Sequence, residues 1–159
     1  MVRINNLAMA MALAMALAMA MALAMALYSN YESFIINKKK TIHINIIKTA
    51  KTPKQHARGL MYVKEKLPVN SGMLFIYSRK TNSSFWMKNT YIDLDIVFMD
   101  ENKKVVGSIE NMKAHDLTSR SINKPYNYAI EMNAGSIKNL NIKVNDIVKR
   151  QIVKRIKRL

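Results

Sequence analysis

The stretch Ile92–Glu110 reads I-D-L-D-I-V-F-M-D-E-N-K-K-V-V-G-S-I-E. Ile92–Met99 is apolar enough for a strand, and Val105–Glu110 predicts the returning one. Between them, Asp100–Lys104 is polar and charged, the composition of a hairpin turn. A strand, turn and strand of this kind sets the expected class, because similar short runs recur on both sides of it.

Toward the N-terminus, Phe85–Met87 predicts a further strand, joined to Ile92–Met99 through Lys88–Tyr91. Met73–Tyr77 is apolar enough for a buried strand, with a turn at Val69-Asn-Ser-Gly72 before it and a loop at Arg79–Ser83 after it. Thr52-Pro-Lys-Gln55 opens a short helix. Thr52 can cap it, Pro53 suits its first turn and Gln55 can reach back as a capping box. That helix ends near Gly59. Thr41–Ile47 alternates, with Ile42, Ile44 and Ile46 on one face and His43 and Asn45 on the other, as a half-buried strand does.

Toward the C-terminus, Asn111–Pro125 is long, polar and irregular, a length often tied to function. Tyr126–Met132 predicts a strand with Tyr126, Tyr128 and Ile130 on one side and Glu131 on the other. Gly135–Leu140 predicts one or two helical turns, and Asp146–Val153 a last strand. About seven short strands and two small helices point to a mainly β domain, a single sandwich or partly open barrel. The expected organisation is an apolar signal or anchor segment at 1–27, a polar linker at 28–40, the β domain at 41–153 and a basic tail at 154–159.

Residues 7–16 read L-A-M-A-M-A-L-A-M-A and residues 17–26 repeat them without change. Both members of the alternation are apolar, so it is no strand signal, and Ala, Leu and Met are strong helix formers. Leu7–Leu27 is predicted as an uncharged apolar helix about as long as a bilayer core is thick, roughly 30 Å. Arg3 precedes it, and Ala24 and Ala26 precede polar Ser29 and Asn30, as in a signal sequence. The length favours a retained anchor, whereas Lys38, Lys39 and Lys40 behind it conflict with export under the positive-inside rule. The expected location is therefore membrane-anchored or exported, or cytoplasmic if this segment has no role.

The chain of 159 residues carries a net charge of +16, a field that favours anionic partners. Lys, Asn and Ile are abundant throughout, so compositional drift accounts for the excess better than a binding patch. No basic and aromatic residues interleave as in a nucleic-acid surface, which argues against nucleic acid as partner. The membrane remains a candidate partner through residues 7–27 and the basic tail. The chain has no cysteine, which removes disulfides, thiolate nucleophiles and cysteine metal sites. His43, His56 and His115 lack metal-ligand spacing, Ser83 and Ser84 lack a nucleophile elbow, and four glycines leave little room for a phosphate-cradling loop. No metal and no cofactor is expected.

Ser84–Asp95 gathers Lys88, Asn89, Thr90, Asp93 and Asp95 among large apolar side chains, behind Trp86, the one tryptophan. Asp93 and Asp95, two apart on a strand, would point the same way and could share a proton or a metal. A hard cation needs more oxygens than this region offers, and a structural role for at least Asp95 is the stronger expectation. Arg58 at the end of the capped helix is a natural bidentate partner for Asp95. Lys88 and Asn89 either donate to a ligand or are solvated turn residues. Trp86 either lines a pocket or fills the core, the latter being the commoner case.

Four pieces taken together resemble the domain-of-unknown-function family 192. They are R-G-L-M at Arg58–Met61, G-M-L-F at Gly72–Phe75, W-M-K-N-T at Trp86–Thr90 leading to Leu94-Asp95, and E-M-N-A-G at Glu131–Gly135. Their order matches over roughly residues 41–148. The resemblance implies a compact, mainly β, sandwich-like domain of bacteria or archaea, often behind a signal or anchor, and it implies no activity. The chain departs from it at Asn145-Asp146, where the family has a G-D turn, and at Met112-Lys-Ala-His115, where a proline-containing stretch is expected.

The leading functional expectation is a non-catalytic accessory or binding domain. Its pocket near Trp86 would hold an unknown small ligand or protein partner and be built from Arg58, Trp86, Lys88, Asn89, Thr90, Asp93 and Asp95. One alternative is a hydrolase- or transferase-type enzyme with Asp93 or Asp95 as general base. Another is an electrostatic binder of membrane surfaces or nucleic acid through Lys154–Arg158.

Overall fold

The structure, a computed structural model, describes residues 14–16, 30–37 and 42–154. Glu32–Gln151 form one compact unit, and Met1–Tyr31 with Ile152–Leu159 form a second. Of the apolar repeat only a helical turn at 14–16 is described, so the Leu7–Leu27 helix and residues 155–159 of the tail lie outside the described residues. Among the described residues no helix is long and apolar enough to cross a membrane.

The elements in chain order are β1 (Asn30–Asn37), β2 (Ile42–Ala50), α1 (Pro53–Arg58), β3 (Ser71–Thr81), β4 (Leu94–Met99), β5 (Val105–Met112), β6 (Tyr126–Asn133), α2 (Ser136–Leu140) and β7 (Ile147–Lys154). The strands order as β5-β4-β6-β3-β2-β1-β7. β2 and β3 are parallel, while β1–β2, β3–β6, β4–β5 and β4–β6 are antiparallel. The expected mainly β class holds, but the arrangement is one mixed sheet rather than a two-sheet sandwich. The β5 and β7 ends touch through the single Lys104–Ile147 bridge, and the sheet is not closed into a barrel. Two parallel neighbours cannot be joined by a hairpin. The connection 51–70 therefore crosses over and carries α1 with it.

Side chains alternate across the pleat and fill both faces. Met73, Phe75, Leu94, Ile96, Phe98 and Ala129 pack on one face with Leu60, Leu67, Phe85 and Met87. Leu74, Val97, Met99, Ile130 and Met132 pack on the other with Ile137, Ile142 and Val148. The first face is covered by α1 and by loops, the second by α2 and the start of β7. An edge-to-face aromatic chain, Phe75–Phe85–Phe98–Tyr126–Tyr77, runs through the first, with centroids 4.8–5.5 Å apart.

Several local expectations change. The stretch 28–40, expected as a linker, contains β1. β3 runs on to Thr81 through residues expected as a loop. Phe85–Met87 is no strand. Phe85 makes one bridge to Arg120, Met87 N–H donates to Asp116 O (2.8 Å), and His115 N–H donates to Thr90 O (3.0 Å). This segment's backbone groups are thus met by the long 113–125 loop rather than by a sheet. Tyr126 does not share a face with Tyr128 and Ile130. The β3–β6 register shifts between Ile76 and Thr81 and turns Tyr126 into the opposite cluster.

Left-handed turns are served mostly by asparagine. Nine non-glycine residues among those described have positive φ, and six are asparagines: Asn70, Asn89, Asn111, Asn123, Asn141 and Asn145. Asn tolerates this region because its short side chain bonds locally.

At Gly72 the constraint is different: β6 approaches so closely that an added Cβ would sit 2.6 Å from Glu131 O and 2.7 Å from Ile130 Cγ2. Gly72→Ala should destabilise the domain by about 2 kcal/mol. The measurement is the urea midpoint at constant m-value, and an unmoved midpoint would show that β3 and β6 can part without cost.

Candidate functional site

The α1 helix is placed by its own sequence. Thr52 Oγ1 accepts from Gln55 N–H (3.3 Å), Gln55 Oε1 accepts from Thr52 N–H (3.1 Å), and Pro53 opens the first turn. It ends at Gly59, whose φ of 44° and ψ of −128° drop the chain onto the sheet. Beneath this end, beside Trp86, lies a cavity of about 340 Å³. Arg58, Gly59, His56, Trp86, Thr90 and Glu131 are among its lining residues.

Glu131 is the chemically distinctive one. It projects from β6 onto the first face, is 6% exposed, and its Oε2 has no hydrogen-bond partner among the protein's groups. An ideal Cβ on Gly59 would sit 3.5 Å from that oxygen, so the glycine lies directly against the carboxyl group. Burial pushes the Glu131 carboxyl up to about 8, against a smaller opposing pull from the Lys48 ammonium. Lys48 Nζ itself donates to Gly59 O (3.2 Å).

His56 stacks on Tyr77 at 4.3 Å. Its Nε2 lies 3.2 Å from Ala50 O and 3.1 Å from Ile76 O. Two carbonyls at that nitrogen require it to carry the ring proton, which leaves Nδ1 as the acceptor of the neutral ring. Burial also raises the Tyr77 and Tyr126 phenols, so both stay neutral. Tyr126 Oη donates to Ser83 O (2.7 Å).

Of the residues expected at the site, Arg58, Trp86 and Thr90 line this cavity, whereas Lys88, Asn89, Asp93 and Asp95 do not. Trp86 is not a core residue. It is 46% exposed, while its neighbours Phe85 and Met87 turn inward. Lys88 Nζ sits 5.1 Å above the Trp86 ring. Asn89 is a left-handed turn residue whose Nδ2 donates to Tyr62 Oη (3.1 Å). Thr90 is buried, and its Oγ1 donates to Lys88 O (3.3 Å).

The two aspartates do not act together. β4 begins only at Leu94. Asp93, just before it, pairs with Lys113 Nζ (2.7 Å) and accepts from Ala114 N–H (2.8 Å). The Lys113 hydrogen bond, then that of Ala114, lowers its carboxyl below the usual value. Asp95 is fully buried on the opposite face from the cavity, where Oδ1 accepts from Asn111 N–H (2.9 Å) and Oδ2 from Ile137 N–H (3.0 Å). It therefore fastens α2 and the end of β5, and it does not meet Arg58. No three His, Cys, Asp or Glu among the described residues come together as a metal site.

The E-M-N-A-G stretch has a use for most of its residues. Glu131 floors the cavity. Asn133 clasps the Leu67 backbone through Oδ1 (2.9 Å) and Nδ2 (2.7 Å). Ala134 N–H donates to Asp93 O (3.0 Å), and Gly135, at φ 85°, precedes α2. The alternation of β6 places Glu131 on the face opposite Tyr128 and Ile130, as the structure does, and because β6 lies between β3 and β4 both of its faces are covered. The available signal was a carboxylate inside an otherwise apolar central run, since Glu is almost never fully buried without a partner.

Fold and cavity together define a small mixed-sheet β domain with a pocket between its capped helix and its Trp86 loop. The chain belongs to the DUF192 family, described as Uncharacterized ACR, whose model matches residues 34–150. It is similar to a crystal structure from Sinorhizobium meliloti 1021 described as a putative transcription regulator. That match has 28% identity and a TM-score of 0.71, covering 77% of this chain and 95% of that one. It is also similar to a protein of unknown function from Novosphingobium aromaticivorans DSM 12444, at 29% identity and a TM-score of 0.67, covering 74% of this chain and 83% of that one. No curated protein matches the chain.

Asp95→Ala strands two inward-facing N–H groups and should cost about 3 kcal/mol in urea unfolding, whereas Asp93→Ala, at an exposed pair, should barely move the midpoint. Equal effects would contradict the division of roles. Glu131 should also set a pH slope. Its carboxyl rises from an ordinary value of 4.5 to about 8 on folding, so the folded chain holds this proton more tightly. The stability it contributes is full below the unfolded value and is lost as pH rises through about 8. Glu131→Gln should remove that slope and stabilise the domain at pH 9 by a few kcal/mol, on the order of the ionisation penalty. Parallel slopes in the two proteins would refute it.

Proposed function

We propose that this chain is a non-catalytic accessory domain, exported or membrane-anchored, that binds a small molecule in the cavity beside Trp86. The observation that carries the reading is the buried Glu131 carboxyl group, its Oε2 left without a protein partner at the floor of an open cavity. An unsatisfied buried polar group is a cost the fold has no structural need to bear. The membrane or export part rests on the Leu7–Leu27 sequence.

The geometry disfavours the enzymatic alternatives. Asp93 and Asp95 are committed to backbone and lysine partners outside the cavity. Ser83 Oγ pairs with Thr81 Oγ1 and Ser84 Oγ accepts from Ser119 Oγ, each at 2.6 Å, while His56 Nε2 faces two carbonyls. Among the described residues no serine–histidine pair is assembled. The described helices of Glu32–Gln151, six and five residues long, are also short for a DNA-recognition helix, which weighs against carrying over the description of the Sinorhizobium protein.

A fragment screen followed by two-dimensional amide NMR tests the reading. Binding fragments should shift the amides of Gly59, Leu60, Phe85 and Trp86 as a group and change Trp86 fluorescence. Hits that cluster elsewhere, or a screen without hits, would sink it.

A further inference from the structure

We propose that the ligand class is a small monocarboxylate on an apolar body, its carboxylate accepting a hydrogen bond from the Glu131 carboxylic acid and facing the Arg58 side of the cavity. This rests on the binding-pocket reading and adds the ligand's charge and shape to it.

The charge around Glu131 carries the argument. β2 contributes Lys48, whose ammonium lies close enough to act on the carboxyl group. α1 contributes His56 and Arg58 to the cavity wall. β3 contributes the neutral phenol of Tyr77. β4 places Ile96 opposite Glu131 and adds no charge. Lys88 stands over the outer Trp86 ring. Arg58 is thus the cation lining the cavity, Lys48 and Lys88 stand near it, and Glu131 is the one acid lining it.

A ligand ammonium would enter against Lys48, Arg58 and Lys88, and would meet a carboxyl group that burial keeps protonated at neutral pH. A carboxylate enters with that field and finds an O–H donor at the end of the cavity. A buried carboxylic acid held neutral so that it can donate is an established device. Glu131 Oε2 also lacks a competing protein donor, so an acid proton on it can turn toward a ligand. Leu60, Met61, Phe85 and Trp86 supply apolar and aromatic surface for the rest of the molecule. The volume of about 340 Å³ is near the small end for ligand sites, which suits one ring or a short chain.

Three probes of one shape separate the possibilities in the full chain: benzoate, benzyl alcohol and benzylamine, followed by Trp86 fluorescence and the same cavity amides. Benzoate should bind at least tenfold more tightly than benzylamine at pH 7. Its affinity should be flat from pH 6 to 7.5 and then fall, approaching tenfold per pH unit above about 8 as Glu131 loses its proton. Glu131→Gln, which keeps a donor and cannot ionise, should still bind benzoate but lose that fall, and Arg58→Gln should weaken benzoate while leaving benzyl alcohol unchanged. Tighter binding of benzylamine or benzyl alcohol at the cavity amides would overturn the monocarboxylate class and leave the pocket reading standing. Absence of binding by all three would also overturn the class, and the wider screen then decides the pocket. An unchanged pH profile in Glu131→Gln would overturn the role given to that side chain.

Discussion

The position of β6 between β3 and β4 governs most of what is distinctive in this domain. A strand with sheet neighbours on both sides and packed layers on both faces has no wet side. Any carboxylate on it must enter a low-dielectric space, where its ionised form is disfavoured. Glu131 is in that position, and the surrounding architecture leaves its Oε2 without a protein donor. The descent of the chain at Gly59, at the end of the α1 crossover, brings backbone against this one side chain. The same sheet holds Asp95 on its far face, where two backbone donors meet it. Two acids on neighbouring central strands thus have opposite circumstances, one fully matched and one left open.

Local chemistry was readable where it rests on local rules. The Thr52–Gln55 capping box, the Asp100–Lys104 hairpin turn and the short helix after Gly135 each follow from residues within a few positions of each other. The approximate strand count was readable for the same reason. What the residues could not convey was partnership between distant segments. Phe85–Met87 has strand composition, yet its backbone is met by Asp116 and Arg120 in a loop. Nothing in residues 84–87 anticipates those partners. The turn of Tyr126 to the other face likewise depends on a register shift against β3.

The site divided along the same line. The location beside Arg58, Trp86 and Thr90 was visible, because it combined a helix terminus with a polar run set among large apolar residues. The acid that lines the cavity, Glu131, was not. Asp93 and Asp95 drew attention through proximity in sequence, but spacing of two has its geometric meaning only inside a strand, and β4 starts between them. Alternation gives only the side of the strand on which Glu131 lies, and its burial follows from the central position of β6, which short-range pattern does not convey.

The asparagines at left-handed positions bear on how this sequence remains a member of its family. The chain has only 4 glycines in 159 residues, and one departure from the family pattern puts Asn145 where a glycine is expected. Asn145 adopts a φ of 74°, so the backbone bend survives the exchange of residue type. The domain can therefore absorb a strong compositional drift wherever only a dihedral angle is at stake. Gly72 marks the limit of that tolerance, because there the requirement is empty space beside another strand, and no asparagine can supply it. A drifting genome is free to rewrite the turns of this fold but not its closest strand contact.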